Sequence, residues 1–290
     1  MEVTIVTSTD LRTQTLVIEG RSQGRIPNPR EPVEQQISDA LRDANITSYS
    51  MEFDGVKVYP RSNSGYPNPT FSHYLLASYL KTRQTKALVD LGCGVGFLGN
   101  YGAVHLKPDL LIFSDLYGQA LKQSQESYGL NNTPLTTGEM SVYGPDEMLG
   151  GDLWVAKYKT DDKVVEFRKG NSALTLKDFD GEGSISVCAP MFLPGVCHAF
   201  PEAYDFFASV AKNTGSRLLV GHSSLASDMV ADAAIKHGLE MSVRAAMQAP
   251  FLIEYTTENR GAFDALKAKG LQIIDDKAFH TLTVSELYAK

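Results

Sequence analysis

The sequence predicts an α/β chain built on a doubly wound, mostly parallel sheet, with a smaller accessory region in front of it. Three observations carry that expectation. From about residue 75 onward, β-rich and helix-compatible segments alternate, the pattern of βαβ units whose crossovers lay each strand parallel to its neighbour. Residues 86–99, KALVDLGCGVGFLG, read as strand, bare turn, helix. A second apolar strand over 110–113 runs into Ser114-Asp115 and places an acid 21 residues after Gly94, at the sheet edge where such folds bind ligands.

Residues 1–64 are expected to form the accessory region. β-type residues cluster at Val3, Ile5 and Val6 and again at Leu16, Val17 and Ile18. After a loop rich in Gly, Pro and Arg, a helix is expected over 32–44, with Pro32 at its first position and Val33, Ile37, Ala40 and Leu41 at helical spacing. Residues 51–59, MEFDGVKVY, read as a hairpin turned at Asp54-Gly55. Pro60, Gly65, Pro67 and Pro69 hold an extended loop, and Thr70 or Ser72 fits the N-cap of the helix behind it. That loop enters the main domain, 65–290, directly. Tyr66, Asn68, Phe71 and His73 therefore either face its cleft or pack on its core as a rigid linker.

Within 86–99 the turn holds Gly92, Gly94 and Gly96. Glycine tolerates positive φ and carries no Cβ, so a ligand can lie against the bare backbone, while the following helix presents unpaired N–H groups. The string parses two ways. Gly94, Gly96 and Gly99 spell G-x-G-x-x-G, a dinucleotide fingerprint; Gly92, Gly94 and Gly96 spell G-x-G-x-G behind Asp90. Only the second gives Asp90 a purpose, and a carboxylate at the end of a buried strand needs a partner. Asp115 suits paired ribose hydroxyls under either parse.

The remaining elements follow in order. A helix is expected over 118–132, and residues 133–163, with a Gly/Pro/Asp-rich stretch and the lone Trp154, read as an insertion shaped as a hairpin. A strand at 164–167 ends at the turn Gly170-Asn171, and a strand at 184–188 runs into Ala189-Pro190-Met191-Phe192. An amphipathic helix at 201–211, a strand at 217–220 and a helix closed by Gly238 come next. Strands near 241–245, 251–255 and 281–284 and a helix at 261–269 complete the sheet.

A formal charge of −7 over 290 residues argues against a broad basic surface for nucleic acid. The three cysteines, Cys93, Cys188 and Cys197, are far apart with no C-x-x-C pair, so neither a bound metal nor a disulfide framework is expected. The start lacks a basic region followed by an apolar one, and no apolar run reaches membrane length. A cytoplasmic protein with no membrane partner is expected, and a homodimer is compatible with the sequence.

The hydrophobic-Asp-Leu-Gly-Cys-Gly-x-Gly string ending at Gly96 resembles the first motif of class I S-adenosylmethionine (SAM)-dependent methyltransferases. PNPTFSHYLL resembles the segment before that motif in protein-glutamine N-methyltransferases, the "methyltransferase small" type, although Thr70 and Ser72 stand where those enzymes carry acids. The resemblance implies a Rossmann-like sheet of seven strands and SAM as cofactor. It also implies cofactor contacts from Asp90, Gly92, Cys93, Gly94, Gly96, Asp115 and Leu116, with Tyr117 beside Leu116. A polar residue after the third strand would meet the adenine amino group; Asn171 is preferred and Asp152 is the alternative. Amino-methylating members carry Asn/Asp/Ser-Pro-Pro-Tyr/Phe after the fourth strand. Here Pro190 and Phe192 match, while Ala189 supplies no side-chain acceptor and Met191 replaces a proline. The expected reaction is methyl transfer to a nitrogen of a small metabolite, an amino-acid-like compound or a protein side chain. Phe192 would pack on the acceptor, Pro190 and Ala189 would line its approach, and Tyr66 and His73 would serve as wall or base.

Three other readings remain. The dinucleotide parse points to a nicotinamide-dependent oxidoreductase, and the methyltransferase resemblance also admits an RNA acceptor. LLVGHSS at 218–224 sits where a hydrolase nucleophile would, with Ser223, Asp275 or Asp264, and His280 in the appropriate chain order. That motif needs a second glycine where this chain has Leu225.

Overall fold

A computed structural model describes residues 2–8, 15–21, 50–59, 71–132, 135, 138–145, 152–160, 162–190, 201–250, 260–274 and 277–289. The chain opens with β1 (Glu2–Ser8), β2 (Thr15–Arg21), β3 (Ser50–Phe53) and β4 (Val56–Val58), an antiparallel sheet in the order β1-β2-β3-β4. The β3–β4 turn has φ of 51° at Asp54 and 77° at Gly55. Two left-handed residues match the twist of a tight hairpin, and Asp and Gly are the residues that accept them.

This hairpin is not peripheral. Phe53, Val56 and Val58 are buried in the same hydrophobic cluster as Tyr74, Phe97 and Tyr101, and the Phe53 ring stacks on Tyr74 at 4.6 Å. The Asp54 carboxylate accepts bonds from Lys81 Nζ at 2.7 Å and from the Tyr101 hydroxyl at 2.6 Å.

The main sheet is built from β5 (Ala87–Leu91), β6 (Leu110–Asp115), β7 (Gly138–Pro145), β8 (Asp152–Lys159), β9 (Val164–Lys169), β10 (Ile185–Cys188), β11 (Arg217–Ser223), β12 (Glu240–Pro250), β13 (Gln272–Ile274) and β14 (Lys277–Tyr288). The helices are α1 (Phe71–Leu80), α2 (Phe97–His105), α3 (Gly118–Asn131), α4 (Ser172–Thr175), α5 (Pro201–Thr214), α6 (Ser227–Lys236) and α7 (Arg260–Lys267). The strand order is β12-β14-β11-β10-β5-β6-β9-β8-β7, with β13 on β14. The central run β11-β10-β5-β6-β9 is parallel, and the flanking pairs are antiparallel.

The sheet is therefore doubly wound as expected, but among the described residues it has ten strands rather than seven. The difference has two sources. Within 133–163, the described strands β7 and β8 pair with each other, and β8 adds to the edge of β9. At the other edge β14 is twelve residues long, enough to pair with β11, β12 and β13. The expected helix at 32–44 and strand at 251–255 fall outside the described residues.

Alternate residues of each central strand feed opposite layers. Leu88 and Leu111 join Tyr74, Leu98 and Tyr101 on one face, while Val89 and Ile112 join Tyr204, Ala208 and Val230 on the other. Helix α3 also holds the accessory hairpin. Asn131 Oδ1 accepts the Lys57 N–H at 2.7 Å and its Nδ2 donates to the Lys57 carbonyl at 2.6 Å. Ser127 Oγ accepts the Tyr59 N–H at 3.0 Å, and Gln123 Nε2 donates to the Tyr59 carbonyl. Spaced four apart, these three side chains share one helix face and act as a substitute strand for β4.

Candidate cofactor site at the carboxyl edge of the sheet

The loop between β5 and α2 lies at the carboxyl edge of the parallel strands. Gly92, Gly94 and Gly96 have φ of 65°, 53° and 76°, so each sits where a side chain would be strained. The N–H groups of Gly92 and Cys93 donate to the Ser114 carbonyl at 2.8 and 3.1 Å, and the Gly96 N–H donates to Cys93 O at 2.7 Å. From below, Asn100 Nδ2 donates to Gly96 O at 2.7 Å and Ser124 Oγ to Gly94 O at 3.0 Å.

The glycines are not equivalent. A Cβ on Gly96 would lie 2.7 Å from that of Ser124, and one on Gly99 would lie 2.3 Å from the Phe113 ring. A Cβ on Gly92 would stand 3.2 Å from the Phe207 ring of α5. A Cβ on Gly94 would meet nothing within 4 Å. Gly96 and Gly99 are thus fixed by helix packing, whereas Gly94 turns its bare face to open space. Packing thus accounts for two of the three glycines in the dinucleotide-like spacing.

Two buried carboxylates frame the loop. Asp90 Oδ2 accepts the Gly99 N–H at 2.7 Å, so this acid ties the end of β5 to the first turn of α2. Burial pushes its carboxyl up to about 8, with the Gly99 N–H pulling against that and the Asp115 charge adding to it. Asp115 accepts the Gly94 N–H at 2.9 Å through Oδ2 and the Tyr117 N–H at 2.9 Å through Oδ1. Burial raises its pKa, opposed by the N–H groups of Tyr117, Gly94 and Leu116. The Cys93 thiol is raised well above its ordinary value by burial and then by the charges of Asp115 and Asp90, and its Sγ lies 3.4 Å from Ser124 Oγ. Asp115 thus stands beside the bare Gly94, while Asp90 holds its proton up to about pH 8.

The other expected residues are distributed around this edge. Leu116 is half-buried at the end of β6, and Tyr117 is 49 % exposed. Asn171 follows β9 and Gly170, whose N–H donates to the Asp115 carbonyl at 2.9 Å, and its Oδ1 caps α4 through the Ala173 N–H at 2.8 Å. Asp152 opens β8 and is exposed, its carbonyl accepting Lys169 Nζ at 3.0 Å. Ala189 and Pro190 follow β10 and are half-buried. His73, in the first turn of α1, has its ring 6.4 Å from that of Phe97, and burial pulls its imidazole down to about 4. Tyr66, Met191 and Phe192 lie outside the described residues.

Ser124 and Asn100, which brace the loop, were not anticipated. Ser124 is a small polar residue at helical spacing from Ala120, Leu121 and Tyr128, and that is the signal in the sequence. Ser223 does meet His280, Oγ to Nδ1 at 2.7 Å. However, Ser223 is 2 % exposed and its Oγ also takes the Leu225 N–H at 3.2 Å, so it caps the 3₁₀ turn Ser224–Ala226. Asp264 is exposed and pairs with Lys267 at 3.2 Å, and Asp275 is outside the described residues. The contact is a buried structural one, with no triad among the described residues.

The family model of the methyltransferase small domain matches residues 71–148, which span β5, β6 and the whole glycine loop. No curated protein sequence matches the chain. Among solved structures, the protein PH0793 of Pyrococcus horikoshii superposes with a TM-score of 0.50 at 10 % identity, covering 84 % of this chain and 73 % of that one. TYW2 of P. horikoshii, in complex with MeSAdo, gives 0.48 at 11 % identity over 84 % and 72 % of the two chains. Trm5b of P. abyssi gives 0.48 at 11 % identity over 100 % and 64 %. The likeness to PH0793 is one of fold.

Proposed function

We propose, on the premise that residues 71–148 carry a methyltransferase small domain, that this protein is a SAM-dependent methyltransferase. The observation that carries the reading is the pair of acids framing an open backbone. Asp90 and Asp115 flank the loop whose Gly94 has clear space where a side chain would stand. A sulfonium amino acid brings positive charge to that frame. A nicotinamide dinucleotide would bring a pyrophosphate toward the Asp115 carboxylate, an unfavourable pairing in a poorly solvated site.

The residues present fit SAM. Gly92, Cys93, Gly94 and Gly96 would hold its methionine portion, and Asp90 would keep the helix start in place through Gly99. Asp115 accepts backbone N–H groups from Gly94, Tyr117 and Leu116 and retains acceptor capacity for a ribose hydroxyl. Leu116 would touch the adenine, and Asn171, directly beyond Gly170, would meet its amino group. When bound, the cofactor supplies the methyl group. This chain then has to position the acceptor in line with the transferred carbon and exclude water.

The acceptor is proposed to be a nitrogen of a small metabolite, an amino-acid-like compound or a protein side chain. Pro190 follows β10, the strand beside β5, and offers a backbone carbonyl to an N–H donor; Phe192 follows within two residues to pack on it. His73 stays neutral at physiological pH and is suited to line the acceptor side. The chain's charge of −7 favours such acceptors over RNA.

Calorimetry with S-adenosylhomocysteine and with NAD tests the cofactor. Binding of the homocysteine compound in the micromolar range, lost in Asp115→Ala, is expected, and NAD binding alone would overturn the assignment. Labelled methyl transfer to amine, protein and RNA pools then tests the acceptor, and label recovered only in RNA would replace the proposed class.

A further inference from the structure

On the opposite edge of the sheet from the glycine loop, three arginines converge on one buried acid. The Glu286 side chain on β14 is 1 % exposed. Its Oε1 accepts Arg83 Nη2 at 3.1 Å and Arg217 Nη1 at 3.2 Å, and its Oε2 accepts Arg244 Nε at 2.6 Å. Arg83 lies beyond α1, Arg217 opens β11, and Arg244 occupies the irregularity in β12 between Val243 and Ala245. One carboxylate thus organises three guanidinium groups and leaves a surplus of two positive charges, in a chain whose formal charge is −7.

The arginine side chains are 29 %, 55 % and 36 % exposed in the order Arg83, Arg217, Arg244. Arg83 lies over the Tyr79 ring at 5.4 Å and Arg217 over the Tyr288 ring at 5.8 Å, cation–π contacts that restrain both side chains. Among the described residues, the N–H groups not used on Glu286 meet no protein acceptor. Ion pairing alone does not require three guanidiniums for one acid. A tetrahedral, doubly charged oxyanion matches both the surplus charge and the supply of unused donors, whereas a monocarboxylate matches neither.

We propose that Arg83, Arg217 and Arg244, held by Glu286, form a binding site for a phosphate group, separate from the cofactor site and independent of the methyl-transfer reading. The ligand is either free phosphate or the phosphate of a small monoester.

Calorimetry on the full chain tests this with inorganic phosphate and glycerol 3-phosphate, at ionic strength fixed with chloride. Saturable binding is expected, weakened at least fivefold in Arg217→Gln and in Arg244→Gln. It should be tightened in Glu286→Gln, where the competing carboxylate is gone. Should Glu286→Gln fail to fold, Arg217→Gln at the most exposed of the three sites carries the test, with its fold checked by circular dichroism. Preference for glycerol 3-phosphate identifies the ester, and preference for inorganic phosphate the free anion. Binding no tighter than that of acetate, or unchanged in folded Arg217→Gln, would overturn the proposal.

Discussion

Asp115 and Gly94 form a single unit: the carboxylate at the end of β6 accepts the N–H of the middle glycine in the turn after β5, at 2.9 Å. The acid of one strand thereby sets the shape of the loop on its neighbour. Substitutions at the glycines should therefore separate loop shape from ligand space.

Gly94→Ala and Gly96→Ala are expected to behave differently. Both place a side chain at positive φ, at about 1–2 kcal/mol. Gly96→Ala also drives a Cβ to within 2.9 Å of the Ser124 backbone, adding about 1–3 kcal/mol of overpacking. Gly94→Ala should fold nearly normally and lose S-adenosylhomocysteine affinity at least tenfold. Urea unfolding paired with calorimetry checks both, and an unchanged affinity in Gly94→Ala would place the ligand elsewhere.

The buried Asp90 makes stability fall with rising pH. Its folded pKa, about 8, lies above the ordinary carboxylate value, so the folded chain binds more protons than the unfolded one between about pH 4 and 8. Stability from this group is complete below that window and is lost across it. A cationic ligand at the loop favours the ionised form, so SAM should bind more tightly as pH rises toward 8, with proton release on binding. Calorimetry in buffers of different ionisation enthalpy reads that proton directly. Asp90→Asn should flatten the dependence.

The clasp on β4 should be measurable apart from catalysis. Asn131→Ala removes two bonds to the Lys57 backbone and should cost about 1–3 kcal/mol. Faster amide exchange is expected within 50–59, with α1 and β11 unaffected at early times. Uniform loss of protection across the chain would argue against a local clasp.

Ser223 should resist a fluorophosphonate serine probe, because its hydroxyl is buried and shared between His280 and Leu225. Mass spectrometry of the treated protein should find Ser223 unmodified, and Ser223→Ala should cost about 1 kcal/mol as a lost cap. Stoichiometric labelling would mean that the site opens.

The parts of this molecule governed by local rules were legible in its sequence. The Asp54-Gly55 hairpin, the strand–glycine–helix unit and the acid ending β6 depend on backbone freedom and short-range pattern. The reach of β14 and the docking of β7–β8 onto β9 depend on which edges are free, a property of the assembled sheet. The same holds at the site. Asp90 was identifiable because a buried acid needs a partner, yet its partner, Gly99, belongs to the rival reading of the glycine pattern. Ser223 and His280 show the converse: a catalytic-looking pair whose burial, invisible in sequence, makes it a strut.

Helix α3 joins two parts of the molecule that the sequence would place in different regions. Ser124 braces the glycine loop from below, and Gln123, Ser127 and Asn131 beside it grip the strand before residue 60. A fragment cut to begin at residue 65 would uncover Tyr74, Phe97 and Tyr101 and leave this helix half undressed. Expression trials of the ligand-binding part should therefore retain the chain from residue 50 or earlier.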